Sequence, residues 1–211
     1  MTTSSTDPMT VFLVDDEPAV RAALSFLLRS RGLAVMDFAS GEALLEQLAA
    51  WGERVPPGCF VLDVRMAGMS GPAVHEALLA RGLRHPVLFL SGHGDIPMVV
   101  EALKRGAFDF LEKPYSDNTL VDRIEQALGV AAAMQQHAAR DAEVHARLAS
   151  LTPRERDVMR LVAAGRLNKQ IAAELNLAMR TVEVYRARVF AKLELRSSAE
   201  LGALLAQYPD S

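Results

Sequence analysis

The feature that most constrains this chain is a repeated one, a short apolar run that stops abruptly at polar residues. The first, "TVFLV" at 10–14, passes directly into Asp15, Asp16 and Glu17. Four more follow: "LAVMDF" (33–38), "CFVLD" (59–63), "PVLFLS" (86–91) and "FDFLEK" (108–113). Between the runs, and after the last, apolar residues recur three and four apart over Pro18 to Arg31, Gly41 to Ala50, Pro72 to Arg81, Ile96 to Arg105 and Asp117 to Leu128. The alternation predicts five βα units. Strands that read as continuous apolar runs are buried on both faces, which requires a parallel sheet with helices on each side. In such a sheet the functional site lies beyond the carboxyl ends of the strands.

That rule gathers particular residues on one rim. Asp15 and Asp16 close the first strand, Asp63 the third and Ser91 the fourth, and Lys113 follows the fifth. Crowded carboxylates repel, and unless something compensates one of them stays protonated. A divalent cation compensates directly, and Mg²⁺ prefers a few carboxylates, a carbonyl and retained waters. Lys113 adds positive charge and Ser91 a hydroxyl donor, a combination suited to an incoming phosphoryl group. Each residue alone has a plainer reading. A "DD" pair can cap the next helix, Lys113 can be a surface charge, His93 a loop residue, and Asp95 a helix cap. Met66, Met69 and the single cysteine, Cys59, read as packing. One cysteine excludes an internal disulfide and fits a reducing compartment. No stretch approaches a membrane span and no leader pattern opens the chain, so a cytoplasmic protein is expected.

The net charge of -3 hides an asymmetry. Residues 1–147 carry 13 Lys and Arg against 19 Asp and Glu, whereas residues 148–211 carry 10 against 7. The alanine-rich stretch between Gly129 and Ala149 favours helix and reads as a linker extending the last helix of the first domain, the alternative being a disordered tether. In the basic part, "LTPRE" (151–155) contains a capping box on Thr152 and Glu155 with Pro153 at the first helical position. Further helices are expected over 168–177 and about 179–193, an arrangement that suggests a helix-turn-helix. On the third of these helices, Val182, Val189 and Leu193 form one stripe with Arg186 at its edge. The opposite face presents Arg180, Val184, Ala187, Arg188 and Ala191, flanked by Glu183 and Lys192. Small residues ringed by cations would admit this face to a major groove while the arginines contact phosphate.

"LVDDE", "VLDVRMAGMSG", "LSGHGD" and "FDFLEKPY" resemble the receiver domain of two-component response regulators. The resemblance implies a flavodoxin-like domain over 9–128 with strand order 2-1-3-4-5. It also implies Asp63 as phosphoacceptor, and Mg²⁺ held by Asp15, Asp16, Asp63 and the Arg65 carbonyl. Ser91 and Phe110 would be the switch pair, Lys113 the phosphoryl contact, and Lys113-Pro114 a cis peptide. Ala67 departs from the usual proline and is expected to relax its loop slightly without removing a ligand. Residues 148–204 resemble the LuxR-type DNA-binding domain, which implies a four-helix domain over 148–211, after a linker at 129–147. That domain would touch DNA through Lys169 and the third helix, Thr181 included, and its last helix, about Ser198 to Gln207, often dimerises. Ala178 stands where a serine cap is common and Tyr185 where histidine is frequent. The whole resembles the FixJ/NarL class: a regulator phosphorylated by a sensor histidine kinase, dimeric on promoter DNA, with RNA polymerase a further possible contact. The resemblance implies no enzyme activity beyond accepting, and then losing, its own phosphoryl group. The alternative is a regulator of the same architecture that works without phosphorylation. A flavodoxin-like enzyme would need a phosphate-binding glycine loop where "DDEPAV" stands, and a small-ligand LuxR-type sensor a different first domain.

Overall fold

The computed structural model describes residues 8–92 and 96–208, so His93 and Asp95 lie outside the described residues. The strands are β1 (Thr10–Val14), β2 (Ala34–Phe38), β3 (Gly58–Asp63), β4 (Val87–Ser91) and β5 (Asp109–Glu112). They alternate with α1 (Pro18–Ser30), α2 (Gly41–Trp51), α3 (Gly71–Ala80), α4 (Ile96–Lys104) and α5 (Asp117–Ala149). All pairings are parallel, in the order β2-β1-β3-β4-β5.

Period-two alternation sorts the strand residues between two cores. Phe12, Phe60 and Phe89 face Leu44, Leu48, Val74, Leu78 and Val99 of α2, α3 and α4. Val11, Leu13, Val61, Leu88 and Leu90 face Leu24 and Leu28 of α1 and Leu120 and Ile124 of α5. Burial on both faces is complete only for β1, β3 and β4. The same burial expected of the other two runs does not occur, because β2 and β5 are the sheet's edges. Met36 of β2 is 38% exposed, and no residue of β5 is fully buried.

Register places the rim. Val14 pairs with Leu62, which brings Asp15 level with Asp63, and Ser91 pairs with Glu112 immediately before Lys113. A cap and a close approach hold the rim's geometry. Ser70 caps α3, and Gly71 begins it so close to β3 that an added Cβ would lie 2.3 Å from the Asp63 carbonyl oxygen.

The chain forms two compact units, Met1–Gln136 and His137–Ser211, which divide within α5. The second contains α6 (Pro153–Ala163), α7 (Asn168–Leu175), α8 (Met179–Leu193) and α9 (Ser198–Gln207). Its core gathers Val158, Met159, Val162, Ile171, Val182, Val189, Leu193 and Leu201, together with Val144 and Leu148 of α5. The last turns of the alanine-rich stretch thus supply core residues to the second unit. Among the described residues no helix is long and apolar enough to cross a membrane.

Two glycines separate packing from propensity. Gly71→Ala should cost about 1–3 kcal/mol by forcing α3 away from β3. Gly129→Ala, exposed within α5 with nothing near its added Cβ, should gain about 0.5–1 kcal/mol. Urea unfolding of both variants checks the signs.

Candidate functional site

The three apolar strands β1, β3 and β4 deliver Asp15, Asp63 and Ser91 to one edge with low exposure, 2%, 7% and 2% respectively. Here charge is costly, and the hydrogen bonds show how it is met. Lys113 Nζ donates to Asp63 Oδ1 at 2.5 Å and lies 4.0 Å from Asp15 Oδ2. The Arg65 amide donates to Asp63 Oδ2 at 3.0 Å. Asp15 Oδ1 accepts from the Glu17 amide at 2.9 Å, and Arg21 donates to the Asp15 carbonyl at 2.7 Å. Asp16 Oδ2 accepts from the Ala67 amide at 2.7 Å. Lys113 is itself fixed by its amide, which donates to the Ser91 carbonyl at 2.8 Å, and the Lys113-Pro114 peptide is cis. Asp15, Asp16, Asp63, Arg65 and Lys113, with Glu17 and Gly92, line a cleft of about 220 Å³.

At the rim one carboxylate oxygen is without a hydrogen bond, with only the Lys113 ammonium 4.0 Å away. Asp15 Oδ2 is buried and accepts no hydrogen bond. Burial is the main reason the Asp15 carboxyl titrates above its ordinary value, offset in part by the Glu17 amide and raised further by Asp63. Lys113 moves the other way from its surroundings' cost: desolvation lowers its pKa, but the Asp63 hydrogen bond and the charges of Asp63 and Asp15 outweigh it, so the net shift is upward. Its ammonium is therefore held throughout the neutral range, and the stability it contributes is lost only as pH rises through that raised value. The site thus retains an acceptor that fits a further cation. Among the described residues no group of three Asp, Glu, His or Cys side chains forms a ready-made metal cage. Mg²⁺ needs none, since it keeps several waters and is completed by few protein donors.

Phe110 is half-buried on β5 against the Phe12 and Phe89 core, one strand over from Ser91. A larger groove, about 330 Å³, lies between α3 and α4 around His75 and Met98. Its charges are already engaged, Arg105 with Glu76 and Glu101 with Lys104, and burial lowers the His75 pKa.

In the second unit, Thr152 and Glu155 form the reciprocal capping box expected of them. Val182, Val189 and Leu193 are buried, while Arg180, Glu183, Val184, Ala187, Arg188 and Ala191 are exposed on α8. Lys169 is exposed near the start of α7, and Thr181 is half-buried. Arg186 donates to Asn168 Oδ1 at 3.1 Å and Ser198 Oγ at 2.8 Å and stacks over the Phe190 ring, which joins α7, α8 and α9. Lys192 is placed differently from the groove-facing expectation. Its ammonium donates to Glu155 Oε2 at 2.7 Å and the Ser150 carbonyl at 3.0 Å, a structural tie from α8 to the buried capping box. Periodicity along α8 alone could not show this, because the partner lies 37 residues away. Ala178 makes no side-chain cap to α8. Leu167 and Met179, at the starts of α7 and α8, are large and exposed at 70% and 53%, a feature no periodic pattern flagged.

Two substitutions test these placements. Asp15→Asn should raise the melting temperature at neutral pH without divalent cations. It should also abolish the gain in stability that the parent shows as pH falls through Asp15's raised pKa. Lys192→Ala should cost roughly 1–2 kcal/mol in denaturant titration by leaving the buried Glu155 carboxylate with its capping hydrogen bond but no cation, with little change in the salt slope of DNA binding.

Comparison with known proteins matches residues 11–125 to the response regulator receiver domain and residues 149–205 to the bacterial regulatory proteins of the luxR family. The chain is 49% identical to the C4-dicarboxylate transport transcriptional regulatory protein DctR of Rhodobacter capsulatus, over 92% of this chain and 98% of that one. It is 42% identical to the transcriptional regulatory protein FixJ of Bradyrhizobium diazoefficiens, over 90% and 91%. Among solved structures, the response regulator StyR superposes with a TM-score of 0.85 at 42% identity, covering 95% of this chain and all of that one. Full-length FixJ from B. japonicum gives 0.58 at 42% identity, over 95% and 97%.

Proposed function

This chain belongs to the two-component response regulators that join a receiver domain to a LuxR-type DNA-binding domain, and we propose that Asp63 is its phosphoacceptor. The observation that carries the proposal is the position of Asp63. It is buried at the end of β3, level with Asp15, and one oxygen lies 2.5 Å from the Lys113 ammonium. A carboxylate oxygen of Asp63 attacks the phosphorus of a phosphohistidine on a sensor kinase. The P–N bond breaks, its electrons return to the imidazole, and an acyl phosphate forms on Asp63. Lys113 stands where it can neutralise the arriving equatorial oxygens, and the Arg65 amide holds the acceptor's orientation.

Receiver domains generally bind Mg²⁺, and here Asp15, Asp16, Asp63 and the Arg65 carbonyl would hold it. When bound, it supplies positive charge that offsets the crowded carboxylates and the phosphoryl oxygens. The unsatisfied Asp15 Oδ2 supports this reading.

Phosphorylation adds charge near -2 at one strand end, too local to act on DNA directly, so its effect must pass through a surface with two states. Ser91 and Phe110 sit on neighbouring strands beside the site and would report it, the hydroxyl turning to the phosphoryl group and the ring following. The outcome we favour is dimerisation, since two weakly binding basic domains gain greatly once held together. DNA would be met by Lys169, Arg180, Thr181, Glu183, Val184, Ala187 and Arg188, with the regulator working in the cytoplasm where the promoter is. Lys192 leaves this set for the structural role described above.

Incubation with acetyl phosphate and Mg²⁺, read by intact mass, should label the parent, should fail to label Asp63→Asn, and should still label Ser91→Ala. That last variant should remain largely monomeric in sedimentation. Labelled Asp63→Asn would refute the acceptor, and a full shift of Ser91→Ala to dimer would refute the switch. On DNA, Arg188→Ala should weaken binding to all sequences alike and flatten the salt dependence by about one unit of slope.

A further inference from the structure

Glu183 is the one acid of α8, set among Arg180, Arg186, Arg188 and Lys192. Two of those cations are committed elsewhere, Arg186 to Asn168 and Ser198 and Lys192 to Glu155. Neighbouring acids of the same unit are compensated, Glu155 by Lys192 at 2.7 Å and Glu194 by Arg147 at 2.8 Å. Glu183 is not. It is exposed, and among the described residues it accepts no hydrogen bond and joins no ion pair. Yet Arg180 and Arg186 stand three residues to either side of it, at a spacing that pairs charges on a helix.

Its place on α8 gives this unpaired carboxylate a consequence. Glu183 lies in the first half of the helix, one turn from Arg180 and one turn from Ala187, on the side that exposes Val184. The N-terminal residues of a recognition helix are those that reach base edges. A carboxylate at that depth is repelled by the phosphates around it, and arginines engaged with phosphate no longer compensate it. It can only accept hydrogen bonds, so it must find a donor on a base. The major groove presents two, N4 of cytosine and N6 of adenine. Adenine sets its N7 acceptor beside N6, against the second carboxylate oxygen, whereas cytosine presents the donor without an acceptor of its own.

We propose that Glu183 is a specificity-determining residue whose carboxylate accepts a hydrogen bond from the N4 amino group of a cytosine in the major groove. The inference rests on the assignment of α8 as the helix that meets DNA. The bound site then carries a C·G pair at the position facing Glu183, and the side chain acts by excluding the other three pairs more than by adding affinity.

Selection from a library of randomised DNA duplexes by the full-length chain, with and without acetyl phosphate and Mg²⁺, tests it. The parent should return a consensus with a cytosine that Glu183→Gln moves to adenine, since an amide pairs with N6 and N7 together. Glu183→Ala should lose the preference at that position and keep it at the others. On the selected site, replacing that cytosine by thymine, which turns an acceptor toward the carboxylate, should weaken the parent about tenfold or more and Glu183→Ala hardly at all. One consensus shared by all three chains, with both variants binding every duplex more tightly, would make Glu183 a solvated charge and overturn the proposal while leaving α8 as the DNA-reading helix. A parent that returns no consensus in either condition would remove that helix's assignment, and the inference with it.

Discussion

Lys113 extends its ammonium to within 2.5 Å of Asp63 and 4.0 Å of Asp15, at the rim of a sheet whose central strands exclude water. A parallel sheet covered on both faces has no room for chemistry along its strands, so polar groups collect where the strands stop. Collected there, Asp15 and Asp63 would repel each other in a poorly solvated edge, and one cation held by β5 makes the arrangement tolerable. The compensation is incomplete. Asp15 Oδ2 keeps no hydrogen bond, and burial holds its carboxyl above the ordinary range. The imbalance is what allows the rim to receive charge of either kind, a cation on the carboxylates and phosphoryl oxygens on the lysine.

The second unit answers a different constraint. Short helices bury too little surface to stand alone, and α6, α7, α8 and α9 are joined by a few polar ties as well as by their common core. Arg186 links three of them, and Lys192 links α8 to the capping box of α6. With these cations turned inward, the exposed face of α8 keeps Arg180 and Arg188 around Val184 and Ala187. The core also takes Val144 and Leu148 from α5, so that one helix contributes residues to both units.

Much of this was legible in the amino-acid order. Apolar runs ending in Asp, Ser or Lys gave the strands and their rim, because burial and strand direction leave little freedom there. The capping box at Thr152 was legible for the same reason, being local. What stayed hidden depended on partners far away in sequence. That β2 and β5 are edges follows from strand order and not from their own apolar runs. Lys192 reads as a groove cation until Glu155 is seen beside it. Ala67 reads as a slightly looser proline, yet its amide holds Asp16, since a backbone donor leaves no mark in side-chain patterns.

The central claim is that Asp63 carries the phosphoryl group, and the most direct measurement is chemical. The chain, phosphorylated with acetyl phosphate and Mg²⁺, would be reduced with borohydride, which attacks an acyl phosphate and leaves free carboxylates alone, and then mapped by peptide mass. Reduction at Asp63, and at no other aspartate, is the result the account predicts. Reduction at Asp15 or Asp16, or a phosphorylated chain with no reduced residue at position 63, would contradict it.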